Sequence, residues 1–115
     1  MAIRKLDKEE WLVFCARASR GLIGKRVEIK VASLDLGTQI EAQWLPFLGI
    51  DYDPRSDIIE IVLDGLDHLV RNPLELYVDE DPIGMTSMQV IGGDGVRQIL
   101  MLRDPLMLPP PLRDL

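Results

Sequence analysis

Between Arg26 and Trp44 the side chains alternate with a period of two, and this alternation constrains the fold of the chain more than any other feature. Val27, Ile29 and Val31 point one way, and Arg26, Glu28 and Lys30 the other. After Asp35-Leu36-Gly37 the pattern resumes, with Ile40, Ala42 and Trp44 set against Gln39, Glu41 and Gln43. A strand sends successive side chains to opposite faces, so each run predicts a strand buried on one side. Two such runs joined by a short turn predict an antiparallel hairpin. Pro46 and Gly49 are expected to interrupt the ladder as a bulge or bend.

The same reading continues along the chain. Residues 50–53 and 58–63 flank Asp53-Pro54-Arg55-Ser56-Asp57, whose proline and short polar side chains favour a tight reversal, giving a second hairpin. Residues 66–72 are expected to form a short helical turn stopped by Pro73, because the residue before proline avoids the α region. Residues 74–79 read as a strand, and Asp79-Glu80-Asp81-Pro82 as a solvated, charged loop that blunts a strand edge. Residues 85–91 and 96–103 flank Gly92-Gly93-Asp94-Gly95, the strongest hairpin signal in the chain.

Only the N-terminal region carries a helical period. Asp7 with Glu10 makes a capping box, and Leu6 with Trp11 a hydrophobic staple, so a helix should start at Lys8. Trp11, Phe14, Cys15, Ala18 and Leu22 recur on one face, and Gly21 and Gly24 supply the stop. The expected fold class is therefore α+β, an N-terminal amphipathic helix with about five or six antiparallel strands. These would form a bent sheet or small barrel, with an SH3- or Sm-like barrel favoured over an open sheet with the helix laid on it. With 115 residues, of which 47% are hydrophobic and 28% charged, the chain suits one domain over residues 1–115. Within it, residues 104–115 form an extended, proline-rich tail.

Charge narrows the function classes. The net charge is −6, yet residues 1–30 hold eight Lys/Arg against four Asp/Glu, and the acidic excess lies in the remainder. An acidic body disfavours general nucleic-acid binding, whose affinity comes mainly from Lys and Arg on phosphates. No apolar stretch is long enough to span a bilayer, and the charged opening residues do not resemble a secretion signal, so a cytoplasmic location is the expectation. With Cys15 as the single cysteine, neither an internal disulfide nor a cysteine zinc cage can form.

Met1 to Trp11, the segments Lys25-Arg26-Val27-Glu28-Ile29 and Gly65-Leu66-Asp67-His68-Leu69, and the closing Leu102-Arg103-Asp104-Pro105-Leu106 together resemble a family of short bacterial proteins of unknown function. The resemblance covers most of the chain and implies a bacterial origin and a self-contained domain. It carries over no catalytic or ligand-binding residue.

The candidate chemistry is sparse. His68 is the single histidine, so histidine acid–base chemistry would have to pass through it; the simpler reading is a polar residue on a short surface helix. Cys15 lies on the apolar helix face, where a free thiol behaves as a small buried hydrophobe, although a Cys15–His68 dyad stays open. Asp51, Asp53 and Asp57 resemble part of a calcium loop, but Ser56 and Val62 stand where an EF-hand needs glycine and glutamate, which favours turn formation. The glycines at 92, 93 and 95 lack the following Lys and Ser/Thr of a phosphate loop. No metal ligand set and no cofactor is expected.

The leading functional expectation is a non-enzymatic protein-interaction or oligomerisation module, assembled as a homo-oligomer through strand edges, the apolar tail, or opposed charges. A second reading is a small-molecule binder or minor enzyme with a pocket between helix and sheet, formed by Trp11, Trp44 and Met88 with His68 or Tyr77 adding polarity. A third is an Sm-like RNA binder using Arg17, Arg20, Lys25, Arg26 and Lys30 as a basic patch. No aromatics interleave with those bases, which counts against base stacking.

Overall fold

The computed structural model describes residues 2–82 and 84–104. The proline-rich tail expected at the C-terminus falls almost wholly outside the described residues. The elements run β1 (Ala2–Leu6), a 3-10 turn (Lys8–Glu10), α1 (Trp11–Gly21), β2 (Arg26–Ser33), β3 (Gly37–Asp53), β4 (Ile58–Leu63), β5 (Leu66–Arg71), β6 (Pro73–Asp81), β7 (Gly84–Gly92) and β8 (Arg97–Arg103). All strand pairs are antiparallel, in the order β1-β6-β7-β8-β2-β3-β4-β5.

The mostly antiparallel sheet with one helix agrees with the α+β expectation, but the count and the closure do not. There are eight strands rather than five or six, and β1 and β5 remain as edges, so the sheet is open and the SH3- or Sm-like barrel is not formed. Two strands escaped the pattern reading. β1 precedes the helix cap and pairs with β6 from Ala2↔Glu80 to Leu6↔Leu76. β5 replaces the short helix expected at 66–72: its inward set is Leu66, His68 and Val70, and the histidine in the middle hides a period of two behind apolar residues at 66, 69 and 70. Asp79 to Asp81, expected in a loop, close β6 instead.

A single long strand joins the two parts of the sheet. The first part of β3 pairs with β2 and the second with β4, and the register slips at residues 43–44, at 41 and at 48 let one strand bend between them. Pro46 and Gly49 thus sit at the bend of one continuous strand, with a register slip between Phe47 and Gly49, in keeping with the bulge or bend expected there. Where β3 leaves β2, its exposed edge is covered by α1: the Ser19 hydroxyl accepts from the Ile50 N–H at 2.9 Å and donates to the Ile50 carbonyl at 2.6 Å. One serine thereby satisfies two backbone groups that the departing strand leaves unpaired.

The core lies between the six-stranded part (β1, β6, β7, β8, β2 and β3), the β4–β5 arm, and α1. Its centre holds Val27, Ile29, Ile59, Ile61, Leu76, Val90 and Leu100, all essentially inaccessible to solvent. The helix starts at Trp11, after the 3-10 turn, and not at Lys8; the capping box is present, with the Asp7 N–H donating to Glu10 Oε1 at 3.0 Å. Trp11, Cys15, Ala18 and Leu22 are buried and Phe14 packs partly against them, as the helical spacing predicts. Trp11 meets Tyr52 edge to face at 5.1 Å between ring centres, and its Nε1–H donates to the Leu6 carbonyl at 3.3 Å.

Candidate functional site

Strand alternation divides the six-stranded part into two faces, and only the inner one is covered. From the pairings Glu28↔Met101, Ser87↔Met101 and Asp79↔Ser87, these four residues share one cross-strand row on the outer face, which Ile3 extends onto β1. Lys30, Ile99, Gln89, Tyr77 and Lys5 form the next row, and Ala32, Arg97, Ile91 and Glu75 a third. No described element lies over these rows. Ile3 is 72% exposed, Ile40 53% and Met101 39%, an apolar content that a solvated face does not require.

A groove of about 320 Å³ runs along β7 on this face. Asp79 and Ser87 stand at one end, Tyr77 and Gln89 at its middle, and Ile91 and Arg97 at the other end. Asp79 Oδ1 is shut off from solvent and has no hydrogen-bond partner. The Tyr77 hydroxyl donates to Glu75 Oε1, and that carboxylate holds the Tyr77 proton more tightly than usual, so the phenol is neutral. Arg97 forms no ion pair among the described residues. Glu28 is the one buried charged residue among those described, with Lys30 Nζ 3.6 Å away.

Further along the same face Trp44 occupies the bulge opposite Glu28 with a φ of 56°, a left-handed conformation that a bulky side chain seldom takes. The Arg103 guanidinium lies 3.8 Å from its ring centre, and Arg26 donates to its carbonyl at 3.1 Å. Sequence alternation alone would have placed Trp44 inward; the extra residue in the bulge turns it outward.

The five pocket candidates are not assembled in one cavity. Trp11 and Met88 are 1% exposed and belong to the core, while Trp44 lies against Arg103 and Tyr77 lines the groove. His68, on β5 and not on a helix, lies 2.7 Å from Gln98 Oε1 through Nε2 and bridges the β5 arm to β8. Burial pushes the Cys15 thiol up to about 12, so it is a neutral packing group. Of the basic set, Lys25 pairs with Asp104 at 2.8 Å, Lys30 with Glu28, and Arg26 with the Trp44 backbone; Arg17 and Arg20 project from α1.

Sequence reasoning missed a second cluster, at the other side of the molecule. Asp57 closes the β3–β4 hairpin with a φ of 56°, accepts from the Tyr52 hydroxyl at 2.7 Å, and lies 3.2 Å from Lys8 Nζ. The Tyr52 hydroxyl and Lys8 hold the Asp57 carboxyl below its ordinary range; Tyr52 is pushed up by burial and by Asp57, and Lys8 by Asp57. Each partner is thus fixed in its resting protonation state, which ties the hairpin to the helix entry but offers no group poised for proton transfer. On the outer side of β4 and β5, Asp67 and Asp51 raise the Glu60 carboxyl. Among the described residues no group of three His, Cys, Asp or Glu is placed to hold a metal ion, and no helix is long and apolar enough to cross a membrane.

Residues 2–111 match the model of a family of unknown function, DUF5335. The chain belongs to the DUF5335 family. An uncharacterized protein of Aquifex aeolicus (strain VF5) is 34% identical over 110 residues, covering 95% of this chain and 99% of that protein. No solved structure matches the chain. The family match agrees with the resemblance read from the sequence, and it names no reaction; the DUF5335 fold must be read for function from its surfaces.

Proposed function

We propose that this DUF5335 protein is a non-enzymatic interaction module that associates with a second copy of itself through the outer face of its six-stranded sheet. The observation that carries the reading is that face itself: Ile3, Ile40 and Met101 are exposed on it beside Ile99, Tyr77 and the Trp44–Arg103 stack, while the opposite face packs against α1 and the β4–β5 arm. Large aromatics and arginine are the residue types that dominate interface energies. Charge supports a self-complementary contact. Lys5, Lys30 and Arg97 stand among Glu28, Glu75 and Asp79, so the three rows are neutral on a chain whose net charge is −6, and two copies can meet there without repulsion.

Sedimentation equilibrium on the full chain tests this reading. A concentration-dependent dimer is expected, and Ile99→Lys, which places a charge in the middle of the face, should leave a folded monomer by circular dichroism. A wild-type chain that stays monomeric at high micromolar concentration contradicts the proposal.

A further inference from the structure

The groove on the outer face carries opposite charges at its two ends. Asp79 Oδ1 is closed off from water yet has no donor, and Arg97 forms no ion pair among the described residues. The carboxylate at one end and the guanidinium at the other give the groove a charge pattern that a second, inverted copy complements. The two groups cannot serve each other within one copy. Asp79 stands opposite Ser87 and Arg97 opposite Ile91, on strands either side of β7, and Ser87 and Ile91 are separated by roughly 13 Å of strand.

The placement is symmetric about Gln89. Asp79 lies one strand to one side and two residues along; Arg97 lies one strand to the other side and two residues the opposite way. A twofold axis in the interface plane, passing over Gln89 and perpendicular to the Asp79–Arg97 diagonal, brings each Arg97 onto the Asp79 of the other copy. This is the reciprocal contact that an isologous dimer requires, residue i on j and j on i.

We infer that DUF5335 subunits pair face to face about an axis over Gln89, with Arg97 of each copy donating to Asp79 of the other. The two ion pairs fix register and orientation, while Ile91 and Tyr77 fill the space between them. The inference rests on the self-association reading above and adds its geometry.

The test is a charge exchange in the full chain, read by sedimentation equilibrium with the thermal transition as a folding control. Asp79→Lys and Arg97→Glu should each weaken dimerisation by about tenfold or more, because each sets two like charges face to face. The double variant, in which each new lysine meets a new glutamate, should recover most of the wild-type affinity. Raising the salt concentration should also weaken the wild-type dimer, which keeps the inference testable should a single variant fail to fold. A wild-type dimer indifferent to salt and to both substitutions overturns this geometry and leaves self-association standing; a wild-type monomer overturns both.

Discussion

At the scale of single residues, the Lys8–Asp57–Tyr52 cluster and Cys15 make predictions that do not depend on any partner. Asp57 is held below its ordinary range by the Tyr52 hydroxyl and Lys8, so its ionised form is favoured in the folded chain. That contribution is complete above the unfolded carboxyl value of about 3.9 and is lost as pH falls through the lower folded value. Tyr52→Phe, which removes the 2.7 Å donor from a ring buried against Trp11, should cost about 1 kcal/mol at neutral pH in urea unfolding. The difference between wild type and variant should shrink as the pH falls through the lowered folded value, below which the carboxyl is protonated in both states. Cys15, with its thiol pushed up to about 12, should resist iodoacetamide in the native chain and react once the chain is unfolded, which intact mass resolves.

At the scale of elements, the junction between α1 and β3 and the β4–β5 turn hold the arrangement together. Ser19→Ala leaves the Ile50 N–H and carbonyl without partners at a part-buried strand edge and should cost about 1–3 kcal/mol in chemical unfolding. Gly65 joins β4 to β5 at φ 84°, so Gly65→Ala should cost about 1–2 kcal/mol through backbone strain alone. Both positions also show how far the sequence can be read. The hairpins and the buried helix face were legible because local alternation and spacing decide them. β5 was not, because His68 occupies an inward position that hydrophobicity alone assigns to an apolar residue. β1 was not, because its short, charged stretch gains its partner only from β6, more than seventy residues later. Nor was the Asp57 cluster, since Lys8 and Tyr52 meet only when α1 docks on β3.

At the scale of the whole molecule, an open sheet with one covered face follows from the length of β3. A closed barrel would hide both edges; here the strand bends, α1 and the β4–β5 arm fill one side, and the other side of six strands keeps an apolar and charge-balanced surface. Pocket residues inferred from composition scattered because tryptophan and methionine report burial as readily as binding, and Trp11 and Met88 went into the core. The groove became visible only once register placed Asp79, Gln89 and Arg97 on three neighbouring strands. The proposed association through that face has a direct readout. Native mass spectrometry of the freshly purified chain tests it most directly, because one spectrum reports stoichiometry and any retained molecule together. A species at twice the 13.0 kDa chain mass with nothing bound is the predicted result, whereas a monomer carrying excess mass would contradict it and make the groove a ligand site instead.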